Sequence, residues 1–315
     1  MATVFLTEPI HEDGVAVLRD AGATLHFGWE LDPAARAAAL AETEAIVARV
    51  EKIGAQVFAA APKLKVISRH GVGCDSIDLP AAKAAGVTVA ISAGANDTAV
   101  AEHTMALMLS AAKRVREMDA VTREDYRGRA GRMSADLKGR RMLVLGYGRI
   151  GRRVAPLCAA FGMDVILWDK ALEPGQPVDG YPVARSLMHG LRGAGGVTVH
   201  VPLDDETRGM IGEDELRALA PGALVVNAAR GGIIDEAALA KVAAEGHLGG
   251  VATDVYTVEP VEPDNPVLGV EHAILSPHTA AMSPESMRLM ATIAAENALK
   301  GVAGTLPDGM VFQAG

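Results

Sequence analysis

Short apolar runs alternate with longer alanine-rich stretches from the first residues of the chain. TVFL, ATLHF, AIVA, KVIS and VTVA read as strands, and HEDGVAVLRDAG, PAARAAALAE, AQVFAAAP and PAAKAAG read as the helices between them. Gly22 and Gly86 supply helix stop signals. Alternating β and α of this kind predicts a parallel sheet covered on both faces, running to about Ala95. NDTAVAEHTMALMLSAAKRVREM then predicts one long helix, with Asp97 or Thr98 as its cap. The polar stretch TREDYRGRAGRMSADLKG predicts surface loop or short helix. A second alternating series starts at Arg141: RMLVLG, a helix, DVILWD, a Pro/Gly-rich stretch, GVTVHV, a helix from Glu213, ALVVN, a helix from Asp235, GGVATDV and HAILS. PESMRLMATIAAENALKG closes the chain as an amphipathic helix able to pack back on the first sheet.

Composition narrows this picture. The 315 residues suffice for two domains, and with 3% aromatic residues the core must be built from Ala, Val, Leu, Ile and Met. A net charge of -9 argues against a nucleic-acid surface. Cys74 and Cys158 show neither CxxC spacing nor a metal pattern, so no metal site and no disulfide framework are expected and the cytoplasm is the default compartment. MATVFLTEPIHEDG lacks the basic and apolar regions of a signal peptide, and no apolar run reaches membrane-spanning length. The mean hydropathy of +0.20 reflects alanine.

Gly146, Gly148 and Gly151 follow an apolar strand and open a helix in G-x-G-x-x-G spacing. The first permits a tight turn, the second lets backbone approach a pyrophosphate, and the third lets helix and strand pack closely. Asp169 ends the next strand, where a carboxylate accepts from ribose hydroxyls and repels a 2′-phosphate. That favours NAD over NADP, although Lys170 next door weakens the distinction. Another nucleotide-shaped ligand, such as a methyl donor, is the competing reading.

Three ionisable residues stand at strand ends: Arg230 closes LVVNAAR, Glu259 lies in DVYTVEP and His278 lies in ILSPH. Taken singly, each also reads as an ordinary surface residue. Together they supply an anion clamp, a carboxylate that favours the imidazolium, and a proton carrier. That set suits redox chemistry at a hydroxyl or keto carbon beside a carboxylate.

With GYGRIG, HVPLDDETRGMIG, NAARGGIIDEAAL, DVYTVEP and SPHTAAMSPES in this order, the sequence resembles the D-isomer-specific 2-hydroxyacid dehydrogenases. The resemblance extends upstream through SRHGVGCDSIDL and NDTAVAEHTMALML. It implies two doubly wound α/β domains: a Rossmann cofactor domain, 98–283, inserted into a flavodoxin-like substrate domain, 1–97 and 284–315, with the active site in the cleft. It implies Arg230, Glu259 and His278 as catalytic residues. Val72, Gly73 and Arg230 are the implied substrate contacts. The implied cofactor contacts are Gly146, Gly148, Arg149, Ile150, Gly151, Asp169, Val201, Pro202, Thr207, Ala228, Ala229, Arg230, Asp254, His278 and Ala280, with the Asp254 side chain approaching the nicotinamide. The implied partners are a small 2-keto or 2-hydroxy acid and a second copy of the chain, as a homodimer.

Several positions refine that expectation. Formate dehydrogenases resemble this chain but pair their His with Gln, whereas Glu259 favours hydroxy-acid chemistry. Phosphite-oxidising relatives carry a Lys in the segment that here reads HGVGC. Many relatives carry a Trp in the loop before the cofactor domain, where TREDYRGRAGR offers only Tyr126. Arg49 and Arg69 are candidates for a substrate phosphate, Cys74 and His103 for packing, and Asn96 for the cleft. Hydroxypyruvate and glyoxylate are the first substrates expected and 3-phosphoglycerate the second. The chain's end soon after the last helix is expected to leave no regulatory domain. A nucleotide-sensing corepressor is the rival reading from a different class.

Overall fold

The computed structural model describes residues 1–312, so positions 313–315 of the expected substrate domain lie outside the described residues. By contacts the chain divides into two compact units, one of Met1–Asn96 with the chain from Met282 onward, the other of Asp97–Ala281.

The first unit begins with β1 (Thr3–Leu6), α1 (Glu12–Asp20), β2 (Thr24–Phe27), α2 (Pro33–Glu42) and β3 (Ala45–Ala48). It continues with α3 (Ala55–Ala60), β4 (Val66–Arg69), α4 (Leu79–Ala84) and β5 (Thr88–Ile91). Its sheet is parallel throughout, in the flavodoxin-like order β2-β1-β3-β4-β5. Phe5, Ile46 and Ile67 face one side, and Val4, Leu6, Val47 and Val66 the other, so β1, β3 and β4 are buried on both faces.

The second unit opens with α5 (Asp97–Lys113) and α6 (Val115–Glu124), where one helix was expected. Arg114 breaks it, with a left-handed φ of 52°. Its guanidinium turns to Glu117 at 2.5 Å, which ties the break to the start of α6. Then follow β6 (Arg141–Leu145), α7 (Gly151–Ala160), β7 (Asp164–Trp168), α8 (Leu187–Leu191) and β8 (Gly196–Val199). The unit ends with α9 (Glu213–Ala218), β9 (Ala223–Asn227), α10 (Glu236–Ala244), β10 (Leu248–Thr253) and β11 (Ile274–Leu275). The parallel sheet runs β11-β10-β9-β8-β6-β7. Val183 adds a single parallel bridge to Leu167, outside β7. Counting that rudiment, the order is the doubly wound one, with its switch point between β6 and β8. Met142 and Val144 pack under α5 and α7, while Leu143 and Leu145 pack under α9 and α10.

The last helix, α11 (Pro284–Ala303), returns to the first unit. Ala291, Ala294, Ala295 and Ala298 repeat on one face and are fully buried. Their small size permits close approach: a Cβ on Gly14 of α1 would lie 2.6 Å from Ala291 O. Both cysteines are buried, and burial pushes the Cys158 thiol up to about 12. Among the described residues no helix is long and apolar enough to cross a membrane, and no His/Cys/Asp/Glu group is arranged to hold a metal.

Candidate active site

Arg230, Glu259 and His278 all belong to the second unit. β9 ends at Asn227, whose side chain brackets the next turn: Oδ1 accepts from Ala229 N–H at 3.0 Å, and Nδ2 donates to Arg230 O at 2.9 Å. Arg230 Nη1 donates to Ala229 O at 2.7 Å. Gly231 follows, and a Cβ there would fall 1.9 Å from the Tyr256 carbonyl carbon and 2.4 Å from Thr257 N. The Arg230 turn therefore packs backbone against backbone on the loop that carries Glu259. Sequence reasoning missed Gly231; the signal available was a glycine pair directly after the arginine.

The Glu259 loop is pinned from three directions. Tyr256 N–H donates to Glu259 Oε1 at 3.0 Å, Thr257 N–H to Glu236 Oε1 at 2.6 Å, and Tyr256 Oη–H to Ser276 O at 3.2 Å. His278, left-handed at φ 53°, places Nδ1 2.6 Å from Glu259 Oε2. Burial works to raise the Glu259 carboxyl; the His278 hydrogen bond, the Tyr256 N–H and the Arg230 charge outweigh it and hold the group below its ordinary range. With Nδ1 committed to the carboxylate, Nε2 is the nitrogen left for a substrate proton.

Asp254, fully buried, anchors the His278 segment. Its carboxylate accepts from Thr279 N–H at 2.8 Å, Ala280 N–H at 2.9 Å and Ser276 Oγ at 2.6 Å, and its carbonyl accepts from His278 N–H at 2.7 Å.

The glycine loop separates into two kinds of glycine. Gly146 has φ 95°, and a Cβ there would lie 2.6 Å from the His200 carbonyl carbon; one on Gly151 would lie 2.0 Å from Gly146 O. Protein packing therefore demands both. A Cβ on exposed Gly148 would meet nothing within 4 Å. The open space above it fits a pyrophosphate approaching backbone. Exposed Arg149 and half-buried Ile150 flank it.

Asp169 receives Tyr147 N–H at 2.7 Å and Ala171 N–H at 2.9 Å. Tyr147 Oη–H donates to Asp179 at 2.9 Å, with Arg152 Nη1 on the same oxygen at 2.7 Å. Burial, then the Asp179 bond, push that phenol up to about 12. Lys170 Nζ lies 2.9 Å from Glu206 and 3.5 Å from Asp204. In the segment after β8, Thr207 Oγ1 donates to Pro202 O at 2.7 Å and accepts from Asp204 N–H at 2.8 Å, closing the turn that begins at buried Val201. Ala228 is buried at the end of β9.

Val72 and Gly73 belong to the first unit, half-buried in the loop after β4. Arg69 holds that loop, donating to Gly73 O at 2.7 Å, Ala48 O at 3.2 Å and His70 O at 3.3 Å. Glu8 accepts from the consecutive N–H groups of Arg49, Val50 and Glu51 at 3.1, 3.0 and 2.6 Å.

A profile of the D-isomer specific 2-hydroxyacid dehydrogenase, NAD binding domain, matches residues 105–280. The D-3-phosphoglycerate dehydrogenase of Archaeoglobus fulgidus is 36% identical, over 93% of this chain and 56% of its own. The chain thus spans about half the length of the phosphoglycerate dehydrogenases it matches. The glyoxylate reductase of Korarchaeum cryptofilum is 33% identical over 98% of this chain and 96% of its own. Among solved structures, the TT0316 protein from Thermus thermophilus superposes with a TM-score of 0.85 at 31% identity, covering 97% of this chain and 98% of that one.

Proposed function

The chain belongs to the D-isomer specific 2-hydroxyacid dehydrogenase family, and on that premise we propose that it interconverts small 2-keto and 2-hydroxy acids using NAD(H). The observation that carries the proposal is the 2.6 Å contact of His278 Nδ1 with a carboxylate and not an amide. Such a pair stabilises a proton on the ring, which Nε2 passes to the substrate oxygen in reduction and takes back in oxidation. Arg230 clamps the substrate carboxylate and polarises the neighbouring carbonyl. A bound nicotinamide supplies or accepts the hydride. Residues of the glycine loop, Asp169, the Val201–Thr207 turn, Ala228, Ala229 and Ala280 are proposed to orient it. Val72 and Gly73 are proposed to offer N–H groups to the substrate carboxylate.

NAD is preferred to NADP in this reading. Asp169 would accept from the ribose hydroxyls, and the Lys170 charge is already engaged by Asp204 and Glu206. Glyoxylate and hydroxypyruvate are the proposed substrates, supported by the full-length match to glyoxylate reductases. Arg69 already donates to three carbonyls, and Glu8 sets a carboxylate on the Arg49 turn, which disfavours a substrate phosphate there. 3-Phosphoglycerate is the second substrate, supported by the phosphoglycerate dehydrogenase relatives. A homodimer, checked by sedimentation, and a cytoplasmic location complete the proposal.

The test is oxidation of NADH and of NADPH against a panel of 2-keto acids. Turnover of glyoxylate or hydroxypyruvate with NADH, abolished in His278→Ala, is expected. Flat traces across the panel with NADH still bound would replace the enzyme by a nucleotide sensor.

A further inference from the structure

Beside the His278 backbone lies a polar cluster drawn from three stretches of chain, in which Asp254 is fully buried and His103 and Ser276 are half-buried. His103 of α5 places Nε2 3.0 Å from Ser276 Oγ and 3.4 Å from Asp254 Oδ1. Ser276 follows β11, and Asp254 follows β10. The hydrogens in this cluster can be counted. A serine hydroxyl has one proton, and Ser276 donates it to Asp254 Oδ1 at 2.6 Å. The contact between Ser276 and His103 then requires the proton to sit on Nε2. His103 Nδ1 has no hydrogen-bond partner among the described residues, so an Nε2–H ring, neutral or charged, loses no bond there.

His103 is thus the donor at the head of a chain: Nε2–H donates to Ser276 Oγ and Oγ–H to Asp254, whose carboxylate also accepts from the N–H groups of Thr279 and Ala280. The Asp254 carbonyl also holds His278 N–H at 2.7 Å. A fully buried carboxylate needs every donor it has, and bonds in such a chain polarise one another. The backbone so held is left-handed at His278, a conformation that needs support from its surroundings.

We infer that His103 is a positioning residue, acting with Ser276 through Asp254 to fix the backbone on which the His278 ring meets Glu259. The inference rests on the reading of His278 as proton carrier. His103 carries no proton to substrate itself; it sets where the carrier stands.

The test compares His103→Leu, His103→Gln and Ser276→Ala. The Gln side chain returns an N–H donor without a ring. His103→Leu is expected to lower kcat about tenfold or more while the NADH Kd stays within about twofold, as misplacement of a reacting group does. His103→Gln is expected to recover most of that loss. In cofactor-free protein, the His278 ring NMR signals move in His103→Leu and in Ser276→Ala, which removes only one oxygen, and return in His103→Gln. Unchanged kcat and unmoved His278 signals in His103→Leu overturn the inference. So do equal losses in the Leu and Gln variants that track a lowered Tm. If wild-type protein reduces no 2-keto acid, the proposed function fails, and the NMR comparison alone decides the role of His103.

Discussion

Glu259 Oε2 sits 2.6 Å from His278 Nδ1, while Glu259 Oε1 takes the Tyr256 N–H at 3.0 Å. Both oxygens of one carboxylate are therefore spent on holding a loop and a ring together. The carboxyl is held below its ordinary value of 4.5 despite burial that works to raise it. A carboxyl depressed on folding adds stability above its unfolded value and loses it as pH falls through the folded one. Reduction is expected to decline on the acid side only below the ordinary carboxylate range, as Glu259 takes up a proton. Glu259→Gln is expected to lower kcat about tenfold or more and to remove the acid-side decline. Initial rates across pH decide; an unaltered acid limb in the variant contradicts the pairing.

The glycine loop predicts opposite behaviour for two of its glycines. Gly148→Ala adds a methyl where the protein has no atom within 4 Å, so Tm should hold while the NADH Kd rises about tenfold, or about 1.4 kcal/mol. Gly151→Ala sets a methyl 2.0 Å from Gly146 O, and the strain should lower Tm by about 5 °C or more. Melting curves and fluorescence titrations separate the two. A destabilised Gly148→Ala would mean that the space above it is structural.

Much of this was legible beforehand, for physical reasons. Continuous apolar runs announced strands buried on both faces, and the residue types of Arg230, Glu259 and His278 suggested the chemistry proposed for them. The helix break at Arg114 was not legible, because no glycine or proline marks it and its left-handed turn is held by the ion pair to Glu117. The fully buried Asp254 hub was hidden because its partner His103 is 151 residues away in sequence. The Val183 rudiment was hidden because one bridge leaves no pattern of alternation.

Cofactor choice should respond to the acids around Lys170. Replacing Asp204 by Asn and Glu206 by Gln removes two carboxylates from its ammonium and leaves the charge for a 2′-phosphate. The pair is exposed, so the gain in NADPH affinity should be modest, about threefold to tenfold, with NADH little changed. Asp169→Ala should weaken NADH and narrow the preference further. Paired Kd measurements check both; an unchanged ratio in the double variant removes Asp204 and Glu206 from the account.

His70 offers a stability test confined to the first unit. Burial, followed by the Arg49 charge, drives its ring down to about 4 from 6.5, and its Nε2 has no partner among the described residues. The unfolded chain then binds a proton that the folded unit refuses, so stability falls as pH drops below about 6.5. By about pH 5 the loss should reach about 2 kcal/mol. Urea unfolding at about pH 7.5 and about pH 5 should show it in wild type and not in His70→Gln. Equal losses in both proteins would assign it elsewhere.

Gly231 carries a lesson for anyone redesigning this site. Arg230 and Glu259 stand at their present spacing because one position between them has no side-chain carbon. Residues 230–231 and 256–259 therefore behave as a single part divided between two stretches of chain. A loop transplanted from a relative into 256–259 will seat only if its backbone follows the same path past position 231. Library designs that randomise one stretch should leave that glycine alone, or vary both stretches together.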